Sequence, residues 1–258
     1  MSDQQPPEPA IAALVAGARR GAELQSAGRD AEALEEWNRL LNRSPQVEGE
    51  KAALMLATVM YSKAQLLLSL NRPAEAEALA AHAIERLDSV SRASARQVAA
   101  RAQGIRRSAF TQLGQHDRAL AIDERLVVDY AGSESFELRA NAGQALVHAV
   151  WTHGHRGEEE EAIARAQQLV DLFSTDEDPD HLIEIGQLLL SGAEKLNHRR
   201  IWRRASAPIT TQVKKMCDAT VTLAGRVGGD LGEAVTLSAR LTQADALVED
   251  HRLRAVLH

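Results

Sequence analysis

The sequence predicts an all-α protein built as a stack of antiparallel helix pairs, and three observations carry that expectation. Alanine, leucine, glutamate, arginine and glutamine dominate the 258 residues, whereas only 3% are aromatic. Turn-forming residues recur every 43 positions, at Gly28, Asn71, Gly114 and Gly157. Apolar residues keep helical spacing on both sides of each turn. The composition favours helix over a sandwich or barrel, because β-branched residues rarely cluster. The recurrence and the spacing together describe a repeated helical hairpin.

The register holds in several columns. An alanine follows each turn at Ala33, Ala76, Ala119 and Ala162, and the next step reaches Ala205, although Arg200 replaces the turn residue there. Leu34, Glu77, Leu120 and Ile163 come next in register, then Leu40, Ala83, Leu126 and Leu169, followed by Leu41, Ile84, Val127 and Val170. Before the turn stand Leu24, Leu67, Phe110, His153 and Leu196. Glycine or asparagine at the break can take the left-handed conformation that ends a helix. Asp30, Pro73, Asp117 and Glu158 to Glu161 then suit the first turn of the next helix, proline because it lacks an otherwise orphaned N–H and carboxylates because they face the positive end of the dipole. The alanine column is expected where two helices cross closely.

Element by element, helices are expected over 10–27 and 30–43, 49–70 and 73–87, 92–113 and 116–129, and 134–153 and 158–173. A fifth pair covers about 180–196 and a member from about 200. Residues 1–9 read as a disordered arm, 10–206 as the repeat domain, and 207–258 as capping helices packed on it, over 209–227 and 231–256 with a split at 228–230. The acidic stretch 174–180 reads as a loop, and Pro208 marks a break or kink.

Composition narrows the function classes. The net charge of −6 gives no general attraction to DNA or to an anionic membrane. Cys217 stands alone, which excludes an intramolecular disulfide and a cysteine-based zinc site. The N-terminus does not read as a secretory signal, and no stretch reads as crossing a bilayer, so a cytoplasmic location is expected. Of the 30 basic residues 25 are arginine, which reflects a GC-rich, bacterial coding sequence rather than a binding function.

The first repeat, residues 18–45, resembles a tetratricopeptide repeat. Gly21 falls at the small residue of the first helix, Gly28 at the turn, Ala33 at the small residue of the second, Trp37 at its aromatic position, and Pro45 closes the unit. Ala64, Pro73 and Ala76, then Phe110, Gly114 and Ala119, keep parts of the pattern. The period of 43 exceeds the usual ~34 and resembles the long-helix variant of kinesin light chains and some bacterial regulators. Ala80, Asp123 and Ala166 replace Trp37 in the later repeats. The resemblance implies a right-handed superhelical solenoid that binds a protein or peptide in its concave groove, without a cofactor.

Carried over from the family, groove-facing positions fall on Thr58, Tyr61 and Gln65, on Arg101, Ser108 and Thr111, on Gln144, Trp151 and His155, and on Gln187, Glu194 and Asn197. Tyrosine and tryptophan among polar donors suit peptide capture. The lysine and asparagine pattern of chaperone-binding relatives is missing.

Other constellations have plainer readings. His148, His153 and His155 read as one partly buried histidine and two solvated ones rather than a zinc site. The run Glu158 to Glu161 is a helix start, and no catalytic pattern stands out. Arg199, Arg200, Arg203 and Arg204 form a cationic stripe followed by Lys214 and Lys215, read as a solvated face or one neutralised by the 174–180 loop. The expected function is a non-catalytic scaffold for a protein or peptide, with homo-oligomers allowed and no membrane or nucleic-acid partner. The alternatives are a ligand-sensing regulatory module, and an enzyme or nucleic-acid-binding protein using the histidines or the arginine stripe.

Overall fold

A computed structural model describes residues 8–43, 49–197 and 207–227, with 232, 233, 235–244 and 246. The fold is all-α, and among the described residues there is no strand. Among the described residues ten helices run in order: α1 (Glu8–Ser26), α2 (Asp30–Arg43), α3 (Glu50–Ser69), α4 (Pro73–Glu85), α5 (Ala93–Gln112), α6 (His116–Tyr130), α7 (Phe136–Arg156), α8 (Glu159–Leu172), α9 (Pro179–Leu196) and α10 (Ala207–Val227). A last helical stretch lies within 232–246. The expected member from about 200 and the split at 228–230 fall outside the described residues.

The turn column is a structural unit repeated four times. Gly28, Asn71, Gly114 and Gly157 all take left-handed backbone, with φ of 72°, 58°, 71° and 74°. The N–H one residue later, on Arg29, Arg72, Gln115 and Glu158, donates back to the carbonyls of Leu24, Leu67, Phe110 and His153 at 2.8–3.0 Å. The turn residues' own N–H groups donate to Gln25, Leu68, Thr111 and Gly154. This double closure satisfies carbonyls that a helix end would orphan. It extends α7 to Arg156, three residues past the expected end, because the helix continues until Gly157 supplies the stop.

Starts are equally local. Pro73 opens α4, and Glu159, Glu160 and Glu161 fill the first turn of α8. Pro208, where a break or kink is expected, is the second described residue of α10, and the chain leading into it lies outside the described residues. Glu8 and Pro9, expected in the disordered arm, belong to α1.

The chain divides within α6 into two compact units, residues 1–122 and 123–258. In the first, α1 packs on α2 and α3, α2 on α3, and α3 and α4 both pack on α5 as well as on each other. In the second, α7 packs on α8 and α9, α8 on α9 and α10, and α9 on α10. The alanine column is fully buried, at Ala33, Ala76, Ala119 and Ala162. Trp37 is buried beside Ala33, Val59 and Leu66, and its indole lies against Gly21, where an added Cβ would stand 2.1 Å from Nε1. The second core gathers Leu146, Val150, Leu169, Ile185, Leu196, Val213 and Met216.

One expectation about apolar stretches is corrected. Helix α3 is long and apolar enough to cross a membrane by length and composition, with a mean hydropathy of 1.3 over its most apolar window. Its apolar residues spread around the helix because it packs on α1, α2, α4 and α5.

Candidate functional site

In the first unit, Thr58, Tyr61 and Gln65 lie on α3, and Arg101, Ser108 and Thr111 on α5, which packs beside it. Tyr61 is half-buried on the local core, whereas Thr58, Gln65 and Arg101 are exposed. The hydroxyls do not act as the free donors the sequence suggested. Thr58 donates to the Leu54 carbonyl at 2.8 Å, Ser108 to Gly104 at 3.0 Å and Thr111 to Arg107 at 3.0 Å. Each proton returns to its own helix, the common habit of helical Ser and Thr.

The second unit brings more together. Gln144 on α7 and Gln187 on α9, one repeat apart, line the same open cavity of about 350 Å³ with Asp180, Ile183, Glu184 and Leu188. Two turns along α7 from Gln144 stands Trp151, half-buried. Its ring centroid lies 4.1 Å from that of exposed His155 and 5.9 Å from that of His148. His155 Nδ1 is 3.0 Å from the Trp151 carbonyl, which it meets as a donor. The three rings form an aromatic edge along one face of α7. On α9, Glu194 is exposed and Asn197 caps the helix end, half-buried.

The histidines need one correction. His153 is largely buried and bonded to Glu158 at 2.6 Å, and His155 is exposed, both as expected. His148 is not solvated. Its Nδ1 meets Asp123 Oδ2 at 2.5 Å, with the two side chains 15% and 2% exposed. Asp123 stands in the column of Trp37, and a carboxylate in that buried column requires a partner. Among the described residues no group of three or more His, Cys, Asp or Glu is arranged to hold a metal. Cys217 is a buried thiol pushed up to about 11 by burial, then by Asp218 and Glu194, so it is a poor nucleophile.

A second polar cluster went unnoticed in the sequence. Arg139 on α7 binds Asp176 at 2.5 Å and donates to the carbonyls of Ser133 and Glu134. His181 stacks flat on Phe136, with centroids 3.8 Å apart, and turns Nδ1 to Asp176 at 3.3 Å and Nε2 to Asp178 at 3.7 Å. Burial opposes the charge on Asp176, but hydrogen bonds from Arg139, the Asp178 N–H and His181 outweigh it and hold the carboxyl below its ordinary range. Arg139, Asp176, Asp178 and His181 line an open cavity of about 470 Å³ with Ala131, Gly132, Leu172 and Thr175. Asp176, within the 174–180 loop, is thus neutralised by Arg139. Arg199, Arg200, Arg203 and Arg204 lie outside the described residues. Lys214 and Lys215 are exposed on α10, and Lys215 donates to Gln167 at 2.6 Å.

An exposed arginine pair also repeats with the register. Arg29 grips Glu32, and Arg72 grips Glu75, through both carboxylate oxygens just after the turn. These fasten helix starts and carry little energy in solvent. No known protein family matches the chain, and no curated protein matches it either.

Proposed function

We propose that the chain is a non-catalytic scaffold of tetratricopeptide-like hairpins, stacked as a right-handed solenoid, and that the α7–α9 face of its second unit captures a peptide segment. The observation that carries this reading is the shared cavity of Gln144 and Gln187, equivalent positions one repeat apart. Their exposed amides each offer two donors and an acceptor, the groups a peptide backbone needs. Trp151 adds apolar area along the same helix, as an interface anchor does. The α7–α9 cavity mixes amide and carboxylate side chains with Ile183 and Leu188, which favours a peptide over a wholly apolar ligand.

The test is site-specific photocrosslinking in the native cell. A benzophenone amino acid replaces Gln144 or Gln187 in the full chain, and Gln168 on α8 serves as the off-face control. One protein should crosslink from Gln144 and Gln187 and not from Gln168. Trp151→Ala should weaken its binding by about 2 kcal/mol. Equal labelling from all three positions would sink the assignment.

A further inference from the structure

Resting on that reading, we infer that the captured peptide is cationic, and that one of its lysine or arginine side chains enters the α7–α9 cavity to meet Asp180 and Glu184. Asp180, Glu184 and Gln187 follow one another along a single face of α9 at helical spacing, and all three are exposed. The same three line the cavity, beside Gln144, Ile183 and Leu188. The cleft thus joins two aliphatic side chains, two amides and two carboxylates.

Within the described residues the charge there is not ion-paired, as at Glu35 and Asp88, but here two such carboxylates line one cleft. Glu32, Glu75, Glu77, Asp129 and Asp176 are each held by an arginine, from Arg29, Arg72, Arg106, Arg125 and Arg139 respectively. The side chains of Asp180 and Glu184 have no such partner among the described residues. The neighbouring His181 turns both ring nitrogens away, toward Asp176 and Asp178. The positive end of α9 accounts for Asp180, which stands in its first turn, but not for Glu184 one turn further in. Two like charges a helical turn apart repel, and a cation between them removes that repulsion. Ile183 and Leu188 suit the methylene stem of lysine or arginine, whose charged head then reaches the carboxylates.

Panning a phage-displayed library of random dodecapeptides on the full chain tests the inference. The most enriched peptide is then synthesised and titrated by calorimetry against three proteins: the native chain, the double variant Asp180→Asn/Glu184→Gln, and the double variant Gln144→Leu/Gln187→Leu. All four positions are exposed, and circular dichroism checks that the helices are kept. The expected result is enrichment of lysine and arginine, with about a tenfold loss of affinity in the carboxylate variant. Native affinity should also fall as salt rises from about 50 to about 300 mM. Uncharged or acidic peptides that lose affinity only in the glutamine variant would overturn the cationic inference while leaving the peptide face intact. Peptides indifferent to both variants, or no enrichment, would overturn both.

Discussion

Replacing Gly21 with alanine probes the contact that best defines the first hairpin. A Cβ at Gly21 would lie 2.1, 2.5 and 2.6 Å from Nε1, Cδ1 and Cε2 of Trp37. The shortest of these falls about 1.3 Å inside the nearest ordinary contact of 3.4 Å. The obstacle is a rigid ring, not the free end of a flexible chain, and Trp37 is only 1% exposed. Overpacking of this kind costs about 1–3 kcal/mol, and a rigid, buried indole argues for the upper end. Gly104, also inside a helix, has nothing within 4 Å of an added Cβ. Gly104→Ala should therefore stabilise by about 0.5–1 kcal/mol through helix propensity alone. Urea unfolding followed by circular dichroism reads both. A double-mutant cycle with Trp37→Leu adds the decisive arm, since shrinking the ring should recover at least about 1 kcal/mol of the Gly21→Ala loss. Equal effects of the two glycine changes, or strict additivity in the cycle, would refute the assigned contact.

Two further outcomes follow from the packing and the charges. Ala119→Leu inserts a branched side chain at a fully buried position and should cost about 1–3 kcal/mol, so an unchanged denaturation midpoint would show that this column is not a helix crossing. Asp176 is held below the ordinary carboxylate range, so the stability it contributes is complete above the unfolded value of about 4 and is lost as the pH falls through the folded value. Arg139→Met should accordingly destabilise by about 2–4 kcal/mol at neutral pH, and the deficit should shrink in acid as Asp176 protonates; a deficit constant with pH would contradict the pairing.

Local chemistry was legible in the sequence, and long-range pairing was not. The four turn residues could be read because each closes its own helix through carbonyls a few positions back, and that chemistry repeats with the period. The alanines could be read because a small residue at a fixed step from the turn reports a close crossing. His148 was misread because its environment is set by Asp123, 25 positions away on another helix. An aspartate in the Trp37 column was the available signal, since a buried carboxylate demands a donor. The cluster of Phe136, Arg139, Asp176 and His181 likewise joins α7, α9 and the loop before α9, which no single periodicity connects. The hydroxyls of Thr58 and Ser108 return to their own helices, a local contact that the groove assignment did not include.

The 43-residue register also separates what packing dictates from what it leaves open. The column of Trp37, Ala80, Asp123 and Ala166 is buried throughout, at no more than 1% exposure. Variation there must be answered from inside the protein, and the His148 contact with Asp123 is such an answer. The column of Thr58, Arg101, Gln144 and Gln187 is exposed throughout. No internal partner constrains Gln144 or Gln187, since neither amide is engaged among the described residues. Stability therefore gives no reason for glutamine at both positions, because an exposed helical site accepts many residues at similar cost. What does distinguish them is the cleft they share with Asp180 and Glu184. The proposed working surface on α7 and α9 rests on that asymmetry: the buried column is explained by its neighbours, and packing leaves the exposed one free to serve a partner.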